Sequence, residues 1–365
     1  MTLAALGLLV WWSTNTRSAA VITHLAAQNQ IPVFLVVDPE APSLGRQASR
    51  NAVIRKRSRA PIQSSEIESI ASGACDELGV SRIVLCPTSE YIQQVAHSQL
   101  SAASRVNILP TSELSYASVS SKEWLVTNGP GFGLRVPRIL EPTNSSKRLP
   151  FVAKPRVNIV GSTAMRPFLV DTDSAWERFR KSSGAYFAEE FLPGSSHYWC
   201  AYRSRIGELV SYFQTNILQR PGGGSITYAR RTTSRHLSAD LKKAAIALES
   251  FVHEIDYRGP IMAELRHGVV TEINPRFWGP LMLDATSGTH VLKAFFHDAF
   301  EQDVRIEFPK SSAYVVPSIL TGSVRSAAAI QASNRATATE RLLAISARFR
   351  GAVTRDLQRK LGGDF

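Results

Sequence analysis

The sequence predicts an α/β domain with a doubly wound parallel sheet, followed by an α+β domain built from antiparallel hairpins. Over residues 1–115, short apolar runs alternate with segments of helical periodicity, which is typical of βαβ units. Further along, pairs of strand-like runs flank single glycines, as hairpins do. One such pair, within residues 261–279, also carries a cluster of polar side chains that indicates a functional site.

The first domain follows from its elements in order. A continuous β-branched run at residues 31–37 is typical of a strand buried in a parallel sheet. No G-x-G-x-x-G follows the first strand, so we expect no dinucleotide there. Strands are predicted at 6–12, 31–37, 82–86 and 106–109, and helices at 19–28, 66–78 and 89–99.

Composition sets limits on the class of protein. The 365 residues are enough for two or three domains with apolar cores. The three cysteines, Cys75, Cys86 and Cys200, form no C-x-x-C pair, which argues against a zinc site or a disulfide framework. The apolar segment 3–12 is shorter than the ~20 residues that span a bilayer, and no signal-peptide features surround it. We therefore expect a cytoplasmic protein with no transmembrane segment.

The net charge of +12 is compatible with nucleic acid, an anionic surface or small anionic substrates. No zinc finger or RNP motif is present and the charge is spread along the chain, so we expect no nucleic-acid partner. A basic cluster is either a solvated face or a rim that attracts anions. It consists of Arg46, Arg50, Arg55, Lys56, Arg57 and Arg59.

The hairpin predicted within residues 261–279 (IMAELRHGVVTEINPRFWG) carries three side chains with oxygen ligands. Glu272 and Asn274 are two apart on one strand and therefore share a face. A two-residue turn would pair Arg266 with Val269 and leave Glu264 on the opposite face. A three-residue turn, which Gly268 makes plausible because it can take a positive φ, would place Glu264 opposite Glu272.

If the faces match, two carboxylates and an amide oxygen converge, a donor set that suits Mg²⁺ shared with substrate phosphates. Arg276 follows directly and offers a guanidinium to phosphate or carboxylate. The alternative is an amphipathic hairpin whose glutamates face water. We favour the metal site because the order E-(seven residues)-E-x-N-P-R is unusual.

This stretch resembles the nucleotide-binding signature of the ATP-grasp superfamily, in particular its carbamoyl-phosphate-synthase-like and biotin-carboxylase-like branch and the related carboxylate–amine ligases. The resemblance implies that Glu264, Glu272 and Asn274 bind Mg²⁺, or Mn²⁺, together with the phosphates of ATP. It implies that Arg276 acts on the transferred phosphate or acyl phosphate. Arg266 lies on the same face as Glu264 and is a second candidate for the substrate anion.

The same resemblance points to two lysines and a phosphate-binding loop. Lys122 lies on a helix predicted over 115–126, and Lys154 ends a strand predicted at 149–154. Gly161 and Ser162 follow in a loop whose N–H groups could hold phosphates. The resemblance implies that both lysines reach the ATP phosphates. An exposed helical lysine is the alternative for Lys122.

Residues 185–194 (AYFAEEFLPG) read as a strand that runs into a connector. The resemblance implies that the connector binds adenine. The matching positions are Glu189, Glu190, Phe191 and Leu192. His197 stands near the position where relatives often carry an acidic residue for the ribose, and the alternative for it is a surface histidine.

The predicted organisation is a Rossmann-like domain at 1–115, an ATP-grasp domain of two subdomains at 116–308 with a lid at about 150–195, and a basic extension at 309–365. The extension carries apolar residues at helical spacing between arginines, which predicts an amphipathic helix. That helix could pack on the body, on a second subunit of a homodimer, or on a membrane.

The resemblance implies an ATP-dependent ligase that joins a small-molecule carboxylate to an amine through an acyl phosphate and releases ADP and phosphate. An ATP-dependent carboxylase and a non-catalytic nucleotide-binding protein are the alternatives. The glycine-rich run 221–225 and the arginines that follow it, Arg230 and Arg231, are either part of the acceptor site or a surface loop.

Overall fold

A computed structural model describes most of the chain. The described residues are 6–13, 15–39, 41, 52–57, 62–100, 104–141, 150–157, 159–160, 163–219, 226–308 and 310–315. Gly161, Ser162, the run 221–225 and most of the predicted C-terminal extension lie outside them, as do three members of the basic cluster, Arg46, Arg50 and Arg59.

The N-terminal part forms a five-stranded sheet in the order β3-β2-β1-β4-β5, with every pairing parallel. This confirms the predicted α/β class, although strand β3 was not predicted. The strands are β1 Leu6–Trp12, β2 Val33–Val37, β3 Val53–Lys56, β4 Arg82–Leu85 and β5 Val106–Asn107, and the helices are α1 Thr16–Gln28, α2 Ser64–Leu78 and α3 Glu90–Gln99.

Both faces of this sheet are covered. Leu8 and Val10 pack in a cluster with α1, whereas Leu9 and Trp11 pack with α2 and α3 on the opposite face. Because successive side chains of a strand alternate between faces, a strand that is apolar throughout has to be buried on both sides. The continuous apolar run of β1 therefore explains why helices cover both faces.

Two short helices lead away from this sheet. A single helix was predicted over 115–126, but the structure has α4 Glu113–Ser120 and α5 Lys122–Asn128. The hydroxyl of Ser121 accepts a hydrogen bond from Trp124 N and caps the second helix. Lys122 is consequently the first residue of α5.

A four-stranded sheet in the order β10-β7-β11-β6 carries Lys154 and the connector. Its small core contains Phe151, Trp176 and Phe179, with edge-to-face contacts between the phenyl ring of Phe151 and the other two aromatic rings. The elements are β6 Ile139–Leu140, β7 Phe151–Pro155, β10 Phe168–Val170, β11 Tyr186–Glu190 and helix α6 Asp173–Lys181, beside a two-stranded ribbon of β8 Ile159–Val160 and β9 Thr163–Ala164.

A six-stranded antiparallel sheet in the order β16-β15-β12-β13-β14-β17 forms the largest layer. Trp199, Ala263 and Leu265 face helix α7, whereas Cys200 and Met262 face the cluster that contains α9 and part of the first domain. The elements are β12 Ser196–Arg203, β13 Leu209–Gln219, β14 Ile226–Thr232, β15 Gly259–Arg266, β16 Val269–Asn274, β17 Ala313–Val315, α7 Ala239–Glu254, α8 Met282–Ser287 and α9 Val291–Phe300.

The first domain is joined directly to the end of β16. Asn15 Nδ2 donates to Thr88 O and to Phe277 O, and Phe277 N donates to Pro87 O. These bonds fix Arg276, which precedes Phe277, beside the carboxyl ends of the parallel strands. No helix among the described residues is long and apolar enough to cross a membrane.

The buried carboxylate of Asp284 organises the start of α9. It accepts hydrogen bonds from Val291 N at 3.1 Å, from Leu292 N at 2.8 Å and from the hydroxyl of Thr289. We expect Asp284→Ala to lower the free energy of unfolding by about 3 kcal/mol, because it leaves buried N–H donors unpaired. Urea denaturation measures this change.

Asp303→Ala is the matched control, since the Asp303 side chain is 98% exposed. Its urea curve should coincide with that of the native protein. Coincident curves for Asp284→Ala and the native protein would contradict the role given to Asp284.

Candidate functional site

The turn between β15 and β16 consists of His267 and Gly268, with φ angles of 51° and 73°. Positive φ at both positions is typical of a type I′ two-residue turn. Arg266 therefore pairs with Val269, so the structure has the two-residue turn of the two that the sequence left open.

A β-bulge nevertheless brings the two glutamates together. Leu265 pairs with Val270, but Glu264 pairs with Glu272, which leaves Thr271 as an extra residue on β16. The extra residue restores the register that a three-residue turn would have produced. Glu264 and Glu272 thus share one face of the ribbon, while Leu265 and Val270 point into the core below it.

Asn274 completes the group of oxygen ligands. It lies two residues beyond Glu272, pairs with Met262 and is buried. In a strand, residues two apart share a face, so the Asn274 amide lies on the same side as both carboxylates. Three oxygen-bearing side chains from one hairpin therefore lie on one face.

Two buried lysines from other elements reach this hairpin. Lys122, at the start of α5, places Nζ 3.1 Å from Glu272 Oε1. Lys154, on β7, donates from Nζ to Thr271 O at 2.5 Å and lies 3.5 Å from Glu189 Oε1. The carbonyl of Thr271 in the bulge thus accepts from Lys154, and the carboxylate of the next residue, Glu272, pairs with Lys122.

The lysines set the charge state of the carboxylates. Burial alone would raise the pKa of Glu272, but the charges of Lys122 and Lys154 outweigh it and lower the pKa to about 2. Burial and the adjacent charge of Glu272 raise the pKa of Glu264. Two like charges therefore occupy adjacent positions in a partly desolvated site, and a bound cation would stabilise them.

Glu189 and Glu190 were both predicted to belong to the adenine connector. Successive side chains of a strand point to opposite faces, so the two residues of β11 lie on different sides of the sheet. Glu189 is buried beside Lys154, and its Oε2 has no hydrogen-bond partner among the residues that the structure describes. Burial raises its pKa to about 7 although Lys154 opposes this shift. Glu190 is on the other face, where its hydrogen bond with Arg138 lowers its pKa. Only Glu189 thus faces the lysine.

A buried polar network behind Glu264 was not predicted. Ser196 Oγ donates to Glu264 Oε1 at 3.0 Å, and Asn216 Nδ2 donates to Ser196 Oγ at 2.9 Å. Gln214 Nε2 donates in turn to Asn216 Oδ1 at 2.7 Å. The network orients the Glu264 carboxylate. Gln214 and Asn216, two residues apart and so on one face of a predicted strand, were the available signal.

The remaining predicted residues lie at the edges of this site. Arg276 places Nε 3.9 Å from Glu90 Oε2, at the border with the first domain. His197 is adjacent to Ser196 on β12 and so points to the opposite face, where its ring lies 3.2 Å from Thr215 Oγ1. The structure does not bring His197 to the carboxylates. Its role toward a ribose stays a prediction.

Arg266 is engaged within the protein. Its Nη1 donates to Gly194 O at 2.7 Å, and its Nη2 lies 3.6 Å from Glu264 Oε1. Phe191 and Leu192, in the connector before Gly194, are partly buried. The prediction that Arg266 binds the substrate anion stays untested.

The donor set fits a hard divalent cation shared with a phosphate ligand. Among the described residues, no group of three or more histidine, cysteine, aspartate or glutamate side chains could hold a metal alone. Glu264, Glu272 and Asn274 supply only oxygen, and a cation there would still need ligands from outside the protein. Mg²⁺ is typically bound in this way, by one or two carboxylates together with substrate phosphates.

No protein-family model matches the sequence, and a search of the curated proteins finds no significant match. Solved structures of similar fold are found. The L-amino acid ligase from Bacillus licheniformis is 14% identical, with 84% of this chain and 78% of that chain covered and a TM-score of 0.55. The N5-carboxyaminoimidazole ribonucleotide synthetase from Thermus thermophilus is 17% identical, with 85% and 82% covered and a TM-score of 0.59.

A third similar structure contains a nucleotide. The biotin carboxylase domain of Hydrogenobacter thermophilus 2-oxoglutarate carboxylase was solved with MgADP, ADP and bicarbonate; it is 11% identical, with 84% of this chain and 72% of that chain covered and a TM-score of 0.60. These proteins have the ATP-grasp fold, and this chain has it too. The predicted fold class is confirmed.

The raised pKa of Glu189 predicts a pH effect on stability. Its folded-state pKa of about 7 lies above the unfolded value of about 4.3, so folding takes up a proton. The resulting stabilisation is fully present below about pH 4.3 and is lost as the pH rises through about 7. We expect the native protein to lose stability between about pH 5 and pH 8 more steeply than Glu189→Gln does.

Urea midpoints across this range provide the measurement. Glu190→Gln is the control, since the Glu190 side chain is on the other face and has a lowered pKa. The urea midpoint of Glu190→Gln should change with pH as steeply as that of the native protein. Parallel profiles for the native protein and Glu189→Gln would show that Glu189 does not titrate in this range.

Proposed function

We propose that the protein is an ATP-dependent carboxylate–amine ligase that uses the site on the β15–β16 hairpin. The observation that carries the proposal is the convergence of Lys122 and Lys154 on the strand that bears Glu272 and Asn274. Cationic and anionic groups at this spacing suit a phosphate chain together with its divalent cation. The fold shared with an L-amino acid ligase supports the reaction class.

The phosphates of the nucleotide would replace the present partners of the two lysines. Lys122 now pairs with Glu272, and Lys154 with Thr271 O and Glu189. A phosphate chain attracts both ammonium groups, and Glu272 is then free to bind a cation. Mg²⁺, or Mn²⁺ in its place, would neutralise the phosphate charge between Glu264, Glu272 and Asn274. We further propose that Gly161 and Ser162 contribute N–H groups to the phosphates.

The buried oxygen of Glu189 supports adenine as the base. Its Oε2 has no partner within the described part of the chain, and an unpaired buried acceptor is costly. The 6-amino group of adenine is a donor that would pair with it, whereas guanine has a carbonyl oxygen at that position. Phe191 and Leu192 supply apolar surface for the ring. The carboxylate thus favours ATP over GTP, and His197 remains our proposal for the ribose.

The chemistry consists of two displacements. An oxygen of the substrate carboxylate attacks the γ-phosphorus, the bond to the β,γ-bridging oxygen breaks, and ADP leaves. The amine nitrogen then attacks the acyl carbon, the bond to the phosphate oxygen breaks, and the nitrogen loses a proton. Lys154 stabilises charge on the phosphates, and Arg276 binds the carboxylate or the acyl phosphate.

The proposed organisation keeps the predicted boundaries, with a first domain at 1–115, an ATP-grasp domain at 116–308 that includes a lid at about 150–195, and a basic extension at 309–365. Closure of the lid over the nucleotide would exclude water, which would otherwise hydrolyse the acyl phosphate. A homodimer formed through the extension remains part of the proposal.

A carboxylase is the second candidate. Its supporting observation is the similar biotin carboxylase domain, solved with MgADP and bicarbonate. In that reaction bicarbonate takes the place of the substrate carboxylate and carboxyphosphate forms. The nucleotide site is the same in both proposals, and the acceptor differs.

A substrate screen tests the proposal. Purified protein with MgATP is incubated with pairs of carboxylates and amines, amino acids first, and released phosphate is measured. We expect release that requires both partners and that yields one ADP per amide. Release that requires bicarbonate would instead identify the carboxylase. Absence of nucleotide turnover with every pair would contradict both enzymatic proposals.

Glu272→Gln tests the cation site. The substitution keeps the shape of the side chain but removes the charge that pairs with Lys122 and that would bind Mg²⁺. We expect phosphate release to fall at least about 10²-fold, because charge stabilisation at the phosphates is usually the largest contribution to such reactions. Glu208→Gln, on an exposed glutamate, is the control and should retain native activity. Native activity in Glu272→Gln would exclude this site.

A further inference from the structure

The turn of the hairpin is in contact with the connector that leaves β11. His267 Nε2 lies 2.9 Å from Pro193 O, and Arg266 Nη1 donates to Gly194 O at 2.7 Å. Since a carbonyl oxygen only accepts, His267 Nε2 carries a proton in this contact. Two successive carbonyls of the connector are therefore bound, directly after the segment 189–192 that we propose for adenine.

Gly194 makes this close approach possible. Its φ is +106°, and a Cβ built there would lie 2.3 Å from His267 Nε2. A side chain at this position would therefore be strained and would collide with the imidazole. The connector backbone and the His267 ring are packed against each other without room for a substituent.

The turn also lies close to helix α7. A Cβ on Gly268 would lie 2.8 Å from both Cβ and O of Asp240, at the start of α7. The turn is thus in close contact with both α7 and the connector, and these two contacts limit its movement.

Arg266 links the connector to the candidate cation site. While Nη1 binds Gly194 O, Nη2 of the same guanidinium lies 3.6 Å from Glu264 Oε1. Ser196 Oγ binds the same carboxylate oxygen. One planar, rigid group therefore connects the base-binding segment with a carboxylate proposed to bind the metal.

We infer that Arg266 and His267 are positioning residues that hold the adenine connector in a fixed relation to Glu264. This inference rests on the proposed nucleotide site. Binding of the base at the connector and binding of the cation at Glu264 would stabilise the same position of Arg266. Base binding therefore strengthens cation binding, and cation binding strengthens base binding. Neither residue needs to touch the nucleotide.

The test is the dissociation constant of ADP, measured by calorimetry with and without Mg²⁺. ADP is used because it needs no identified substrate. The variants are Arg266→Met and Gly194→Ala, which disturb the contact from opposite sides, and Arg266→Lys, which keeps the charge. Arg180→Met is the control, since the Arg180 side chain is exposed and pairs with Glu177 on the surface. Circular dichroism verifies that each variant is folded.

We expect Arg266→Met and Gly194→Ala each to weaken MgADP binding about tenfold and to reduce the enhancement of ADP binding by Mg²⁺. Arg266→Lys should recover part of both effects. If Arg266 acted only through its charge, Arg266→Met would have the opposite effect on the Mg²⁺ enhancement. Removing a positive charge beside Glu264 would strengthen cation binding and so increase the enhancement of ADP binding by Mg²⁺.

Native affinity and native Mg²⁺ enhancement in both variants would overturn the inference and leave the nucleotide site intact. A larger Mg²⁺ enhancement in Arg266→Met would overturn it as well. If the native protein itself binds no ADP in either condition, the proposed function fails, and the inference fails with it. The two failures are therefore distinguishable.

Discussion

The structure of the site depends on the pairing of Glu264 with Glu272 across one β-hairpin. Two carboxylates at one register position repel each other, and partial burial increases the cost. The protein offsets this cost in two ways. Lys122 keeps Glu272 ionised, and the hydroxyl of Ser196 donates to Glu264. A divalent cation between Glu264 and Glu272 would offset the repulsion that remains between the two carboxylates.

The bulge at Thr271 has two consequences for this pairing. It places both glutamates on one face despite a two-residue turn, and it makes the Thr271 carbonyl the acceptor for Lys154. Lys154 belongs to the four-stranded sheet, whereas Thr271 belongs to the six-stranded sheet. This contact therefore connects the two sheets beside the site that we propose for the nucleotide phosphates. The contacts of Arg266 and His267 with the connector join the same two parts at another point.

Much of the fold could be predicted because its signals are local. The apolar runs of β1 and β2 and the periodicity of α2 and α7 are visible in the residues themselves. The edge strand β3 was missed because its short sequence includes charged residues, and an edge strand is exposed on one side. Whether Glu264 faces Glu272 could not be decided from local signals, since a bulge inserts a residue without any clear compositional mark. The role of Ser196 is also non-local, because it depends on strand order in the sheet.

The central claim is that Glu264, Glu272 and Asn274 share a divalent cation with a nucleotide phosphate. Electron–nuclear double resonance on Mn²⁺ bound to the protein with ADP tests it most directly, because the spectrum reports the nuclei next to the metal. The account predicts a strong ³¹P coupling, which shows phosphate coordination, no coupling to a histidine nitrogen, and loss of the tightly bound signal in a Glu264→Gln/Glu272→Gln double variant. A nitrogen-ligated Mn²⁺, or a phosphate-coupled signal unchanged in the double variant, would contradict it.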